Sequence, residues 1–448
     1  MPHNPTGPHN PTRPHNQTGL HVGIDFGTTN SSIARAISPS EVEVVRFPTA
    51  TGITEAYRSL LYLEQVQEGA TRTVKGWSGP EGIERYLGAE TRGRLIQSLK
   101  SFLTSESLKS TEVFGRRRTL EDLIARILRD LREKAEHHFG GKIHSATVGR
   151  PVHFVGAERE DHNALAERRL AEAFRLAGFE NVRFEMEPVA AAHYYESTLD
   201  RDELILIGDF GGGTSDFSLV HVGPSILRRG RTPHDLIGNA GVGLAGDAFD
   251  SKIVRHLVSP ALGAGSQMRS MDKILPVPTW VYSKLEHWHH LSFLKAKDTM
   301  NMLTSVRGHA FEPERIEALI HLIEEDLGYQ LHRAVQRLKI ELSDQYVARF
   351  RFTDGDVDLD TDVRRIDFET WITDELGQIE RCIDGLLETS GVAAAQVDRV
   401  FLTGGTSFVP AVRDIFEVRF GREKIRAGNE FTSVARGLAL KAATPRQP

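Results

Sequence analysis

A chain of 448 residues is too long for one ordinary hydrophobic core, so two domains or two lobes are expected. The composition, 40% hydrophobic and 26% charged with a net charge of −6, is that of a soluble globular protein and offers no basic patch for nucleic acid. No apolar run approaches the roughly 20 residues that cross a bilayer, the start lacks the regions of a signal peptide, and a lone cysteine, Cys382, excludes an internal disulfide framework. A cytoplasmic setting without membrane or nucleic-acid partners is expected.

Residues 1–18 repeat "HNPTGP", "HNPTRP" and "HNQTG", a density of proline, asparagine and glycine that builds no core. They are expected to form a disordered, passive tail, whose His3, His9 and His15 are at most weak metal ligands. Order begins with "LHVGIDF" and "SSIARAI", two alternating stretches around "GTTN" that predict a β-hairpin, followed by the extended "EVEVVRFP". Residues of about 61–140 are expected to be an insertion of mainly helical character. Within it, Leu120, Leu123, Ile124, Ile127, Leu128 and Leu131 form one face of a helix that Gly140 and Gly141 stop. "IHSATVGRPV" returns to strand, "ERRLAEAFRLAGF" is an amphipathic helix, and "NVRFEMEPVAAAHYYE" is a strand running into a helix with Pro188 in its first turn.

At Leu204 the pattern starts over with "LIGDFGGGTSDFSLV", then a long helical insertion at about 247–345, and finally "VDRVFLTGGTSFVPAVRDIFEVRFG". Alternating strands and helices predict an α/β fold. Asp25-Phe26-Gly27 recurs as Asp209-Phe210-Gly211, 184 residues later, which points to an internal duplication. The expected organisation is a first lobe over 19–203, a second over 204–442, and a short tail over 443–448.

Each hairpin ends its first strand in an aspartate and turns through small residues. Glycine and threonine leave backbone N–H groups open to phosphate oxygens, and the hydroxyls of Thr28, Thr29 and Thr214 add donors. A carboxylate beside such a cradle repels phosphate unless a divalent cation lies between them, and Mg²⁺ with retained water is the usual solution. Three consecutive glycines, Gly211, Gly212 and Gly213, weaken a hairpin unless something must approach its backbone. Two facing hairpins would grip a polyphosphate from both sides. The chain has no G-x-x-x-x-G-K-[ST] loop, no H-R-D before either D-F-G, and no Rossmann glycine spacing.

Together these motifs resemble the actin-like ATPase superfamily, specifically the ATPase domain of the DnaK-type heat-shock chaperones (heat-shock protein 70). "VGIDFGTTNS" and "LIGDFGGGTSDFSLV" resemble its two phosphate loops. "MEPVAAAHYY" and "SVARGLALKA" resemble its connecting segments, "GLAGDAFDSKIV" the stretch after the second loop, and "VFLTGGTSFVPAVRDIF" its adenosine loop, here 402–410. The resemblance implies a two-lobed fold of duplicated ribonuclease H-like type with helical insertions in each lobe, binding ATP or ADP with Mg²⁺.

Carried over, it implies that Asp25, Asp209 and Glu187 hold Mg²⁺, and that Gly27, Thr28, Thr29, Asn30, Gly211, Gly212, Gly213 and Thr214 cradle the phosphates. Lys100 would be the catalytic lysine, with Asp25, Glu187, Asp209 and Thr214 completing the reacting set and Asp216 a further carboxylate behind the second loop. Gly246, Lys339, Ser343, Gly404, Gly405 and Phe408 would meet the nucleoside end. There the chain departs from the family pattern: Gln336 replaces an acid, while Ile340 and Phe408 each replace an arginine, which leaves base preference open. Pro151 stands in a shifted register from the family's interdomain proline. The chain stops short of the family's peptide-binding domain, so the short YegD-like group is the nearest expectation, with a protein client or co-chaperone as partner.

Two other classes share the core: a small-molecule kinase, which transfers phosphate to a bound hydroxyl, and a filament-forming actin relative. His287, His289 and His290 beside Trp288 are expected to be ordinary helical histidines, Arg116–Arg118 a solvated turn, and Cys382 a small core hydrophobe.

Overall fold

A computed structural model describes residues 20–39, 41–49, 52–69, 71–89, 93–196, 199–286, 291–427 and 432–443. The N-terminal repeat, the histidine cluster at 287–290 and nearly all of the C-terminal tail lie outside the described residues.

The first half is built on strands β1 (Leu20–Phe26), β2 (Asn30–Ser38), β3 (Glu41–Val44), the short β4 (Tyr57–Arg58), β5 (Ile143–Arg150) and β6 (Asn181–Met186). They form one sheet in the order β3–β2–β1–β5–β6, with β4 added beside β2. The second half repeats this with β7 (Glu203–Phe210), β8 (Ser215–Val222), β9 (Leu236–Val242), β10 (Arg399–Thr403) and β11 (Ile425–Ala427), in the order β9–β8–β7–β10–β11. In both sheets the first three strands are antiparallel and the last two join parallel to the first. Strand for strand the topology is the same. Asp25 pairs with Ser32 and Asp209 with Asp216, so the duplication also places Asp216 where the first half has a serine.

Helices supply the crossovers and cover the sheets. In the first half α1 (Leu120–Phe139) is capped by Thr119, whose side chain accepts from the Asp122 amide, and it ends at Gly140 in the left-handed conformation. It packs with α2 (Glu160–Leu176) over Val22, Ile24, Ala146 and Val148.

Two helices do not stay with the half that precedes them. Helix α3 (Glu187–Glu196), which ends the first half, packs against Ile205, Ile207, Val220 and Val222 of the second sheet. The last helix, α8 (Ser433–Ala443), which follows α7 (Pro410–Phe420), returns to the first, with Ala435 and Ala439 against Ala34 and Val44. They cross at a backbone contact so close that a Cβ on Gly437 would lie 1.6 Å from the carbonyl oxygen of Ala190. Glycine is the only residue that permits it.

The expectation of a mainly helical segment at 61–140 is corrected in its first part. Leu60–Glu68, Thr71–Ser78 and Arg94–Gln97 form a three-stranded sheet, and among the described residues of the segment α-helix is confined to Gly79–Gly88 and α1. Leu60, Leu61, Tyr62 and Leu63 are buried one after another, a pattern that a single helix face cannot produce. The insertion of the second half is helical as expected, from α4 (Gly246–Ile253) to α5 (Gly328–Asp344), apart from a small hairpin at Gln267–Ser270 and Lys273–Pro276. Arg116–Arg118 lie in a hairpin strand rather than a turn. Cys382, on α6 (Thr373–Ser390), is half-buried, and burial pushes its thiol up to about 11. No described helix is long and apolar enough to cross a membrane.

The helix crossing makes opposite predictions for two glycines. Gly437→Ala should lower unfolding free energy by more than about 2 kcal/mol, since backbone must move to admit the methyl group. Gly385→Ala, on α6 with nothing within 4 Å of the added Cβ, should raise it by up to about 1 kcal/mol. Urea midpoints of the two variants check both, and a Gly437→Ala protein as stable as the parent would contradict the crossing.

Candidate functional site

Between the two sheets lies a cavity of about 630 Å³. Its floor is made by the two hairpin turns, Gly27–Asn30 from β1–β2 and Gly211–Thr214 from β7–β8. The turns meet across the cleft: a Cβ on Gly212 would stand 2.5 Å from the Thr29 hydroxyl oxygen. The second turn is braced from behind, where the Gly211 amide donates to the Thr214 carbonyl at 2.9 Å and the Asp247 amide to the Gly212 carbonyl at 2.8 Å. Every glycine and threonine expected in the two cradles lines this one space.

Beneath the turns, charge is concentrated and poorly balanced. Asp25 and Asp209 are the penultimate residues of the two central strands, Glu187 opens α3, and Lys100 sits in a short helical turn, Leu99–Phe102. Lys100 is buried rather than on the surface, and its ammonium donates to Glu187 Oε1 at 2.9 Å. The Thr403 hydroxyl donates to Asp209 Oδ1 at 2.6 Å. Asp216 lies behind the second turn, 1% exposed, with its Oδ1 lacking a hydrogen-bond partner.

Four carboxyl groups thus share one ammonium. Burial, with Glu187 and Asp209 nearby, holds Asp25 well above the usual carboxylate range. Burial and the charge of Glu187 raise Asp209 to about 6, against its bond from Thr403. Burial likewise drives Asp216 well up. For Lys100, burial opposes the charged form, but Glu187 and Asp25 outweigh it and raise its pKa. These are the signs of a site short of positive charge.

That shortage, and the unpartnered oxygen of Asp216, fit a divalent cation. Among the described residues, the one group of three whose ligand atoms all lie within 4.8 Å is the surface set Glu106, Asp161 and His162. The oxygens of Asp25, Asp209 and Glu187 do not close that tightly, an arrangement suited to a metal held through water.

The opposite end of the cavity is formed by α4, α5 and the turn after β10. Gly246, Gln336, Lys339, Ile340 and Ser343 reach it from the helices, and Gly404, Gly405 and Phe408 from the turn. Lys339 is held in place, its ammonium 2.6 Å from Asp250 and donating to the Gly246 carbonyl at 3.1 Å. The Ser343 hydroxyl donates to the Lys339 carbonyl at 3.0 Å. Ile340 and Phe408 remain largely open, 64% and 42% exposed, and present apolar surface at the rim. Pro151 also lines the cavity and is buried.

Among the wall residues that the sequence alone does not single out are two charged ones beside the turns, Arg58 and Asp247. Arg58 arrives because β4 pairs with β2, and Asp247 because α4 starts beside the second turn. A single arginine in "EAYRSLLYL" carries no local signal; only the sheet register brings it there. Asp247 is raised to about 6 by burial and by Asp250.

Two copies of one sheet topology, exchanging helices around a glycine-floored cleft, define the two-lobed actin-like ATPase fold. The sequence matches the Hsp70 protein family over residues 21–263 and 295–446. It is 26% identical over 433 residues to the chaperone protein DnaK of Thermosipho melanesiensis, covering 94% of this chain and 59% of that protein. It is 27% identical over 441 residues to the chaperone protein DnaK of Thermus thermophilus, covering 94% and 60%. The chain belongs to the Hsp70 protein family, and it spans about three fifths of the length of these curated relatives.

The carboxyl cluster has a pH signature. Asp209 and Asp247 keep their protons to about 6, whereas in the unfolded chain they lose them near 3.8. The ligand-free fold therefore binds more protons than the unfolded chain over that window, and loses stability as pH rises through it. Asp209→Asn should raise ligand-free stability at pH 7.5 by about 1–3 kcal/mol and leave it little changed at pH 4. Equal gains at both pH values in urea titrations, or a loss at pH 7.5, would count against the electrostatics described.

Proposed function

We propose that the cavity binds ATP or ADP with Mg²⁺ and that the chain hydrolyses ATP slowly, as a nucleotide-gated two-lobe switch of the DnaK-like kind in the cytoplasm. The observation that carries this reading is the contact of two glycine-rich turns, one from each half, directly above four carboxyl groups and a single lysine.

In this reading the amides of Gly212 and Gly213 and the hydroxyls of Thr28, Thr29 and Thr214 hold the phosphates from opposite sides. Asp25, Asp209 and Glu187 hold the cation through water, and when bound it neutralises polyphosphate charge that these carboxylates would otherwise repel. Lys100 offsets the charge that develops on the terminal phosphoryl group during in-line attack by water, and Glu187, fixed by Lys100, orients that water. The apolar rim of Ile340 and Phe408 receives the base by packing rather than by a guanidinium stack.

Because the phosphate turns belong to different halves, the terminal phosphate bears directly on how the two halves sit. Residues 19–203 and 204–442 would move as lobes about the crossing of α3 and α8. A protein client or co-chaperone would read the resulting states, and kinship with the short YegD-like group is part of the same proposal.

The test is a panel of nucleotides with and without Mg²⁺, comparing wild type with Asp209→Asn and Lys100→Met. Wild type should bind ATP in a Mg²⁺-dependent manner and release phosphate. Lys100→Met should lose turnover by about 10²–10³-fold while still binding, and Asp209→Asn should lose the Mg²⁺ dependence. Equal binding and turnover in all three proteins would contradict the assignment.

A further inference from the structure

Three cationic side chains stand in the cavity wall: Lys100, Lys339 and Arg58. Two are neutralised at contact distance, Lys100 by Glu187 and Lys339 by Asp250. Arg58 is different. Among the described residues no carboxylate oxygen lies within 4.0 Å of its nitrogens, and its Nη1 donates at 3.2 Å to the neutral side-chain oxygen of Asn30.

That contact follows from the sheet. Strand β4 pairs with β2 so that Arg58 stands opposite Asn30, the last residue of the first phosphate turn. The guanidinium is thereby delivered to the edge of that turn, and it is the only guanidinium in the cavity wall among the described residues. Around it stand Asp247 and Asp250 on α4, and Tyr329, His332 and Arg333 on α5. Burial draws its pKa below the ordinary arginine range, which Tyr329 and Asp247 oppose and Arg333 reinforces.

A guanidinium offers five N–H donors in a planar fork that matches the oxygens of a phosphate. Asn30 and the Tyr329 hydroxyl each take a donor, and neither supplies the charge of a carboxylate. A desolvated guanidinium in this condition is left short of an anion, and the nearest described backbone built for one is the turn it touches.

We propose that Arg58 is a phosphate-binding residue of the first half, donating from its guanidinium fork to the polyphosphate of the nucleotide beside Asn30. The inference rests on the nucleotide reading above and adds a residue to it. It also explains how the site gathers cationic charge at the phosphates while its nucleoside end presents Ile340 and Phe408 instead of arginines.

The experiment measures equilibrium binding of adenosine, ADP and ATP, with Mg²⁺ present, to the full chain as wild type, Arg58→Gln and Arg58→Lys. Losing a charge-assisted bidentate contact should weaken ADP and ATP by about 10- to 100-fold in Arg58→Gln. Adenosine, which has no phosphate, should change by less than about twofold, and Arg58→Lys should recover part of the loss by keeping the charge without the fork. Thermal unfolding of both variants is followed alongside. An equal loss for all three ligands, as a structural role or a latch to Asp247 would produce, overturns the inference, and so does no loss for any. Wild-type protein that binds none of the three removes the nucleotide reading itself and this inference with it, an outcome separate from a failure confined to Arg58.

Discussion

The close crossing of α3 and α8 is the constraint on which the remaining geometry rests. Each helix follows the sheet of one half and packs on the sheet of the other, so neither half is covered without its partner. The approach of the Gly437 and Ala190 backbones leaves no room for a side chain between them. Once that crossing is made, the two central strands point their ends into one cleft. Glu187 is placed there because it opens α3, and Val434 lines the same cavity from the first turn of α8. Exchange of helices therefore both joins the halves and positions the carboxyl groups.

Electrostatics gives the cleft its second property. Burial and like charge both act against ionisation of Asp25, Asp209 and Asp216, which are gathered around Lys100 and Glu187. Such a cost persists in a fold when the site gains a counter-charge in use. The second turn shows close approach in backbone form, with Gly212 against Thr29 and Gly213 against Val155 of the first half. At the opposite end Lys339 is held by Asp250 and the Gly246 carbonyl and Ser343 by the helix carbonyl, while burial still raises Asp247 and Asp250.

Much of this was legible in the chain. The paired "DFG" turns, the apolar face of α1 with its glycine stop, the strand-to-helix step at Glu187 and the restart near Leu204 each carry a local signal that tertiary packing left intact. The three-stranded sheet at 60–97 was not legible as such. Its buried run Leu60–Leu63 has no helical or alternating period, and a short apolar run is ambiguous between helix and strand. The hairpin Val347–Asp354 and Val357–Arg364 did carry a signal, since Ala348, Phe350 and Phe352 alternate with exposed residues, yet it fell at the edge of a stretch dominated by helix. Arg58 had no signal at all, because a strand neighbour distant in sequence brings it to the cavity, whereas Asp247 directly follows Gly246 in a stretch the sequence did single out.

The sequence by itself determined the duplicated halves and the residue types of the two hairpin turns, because these depend on short-range spacing and on properties of individual side chains. Only the tertiary structure decided which carboxyl groups share one lysine, that Lys100 is buried against Glu187, and that an arginine from a two-residue strand faces the first turn. Those facts depend on sheet register and on two helices changing sides. Contacts of that kind join residues tens to hundreds of positions apart, and no local pattern in the chain encodes them.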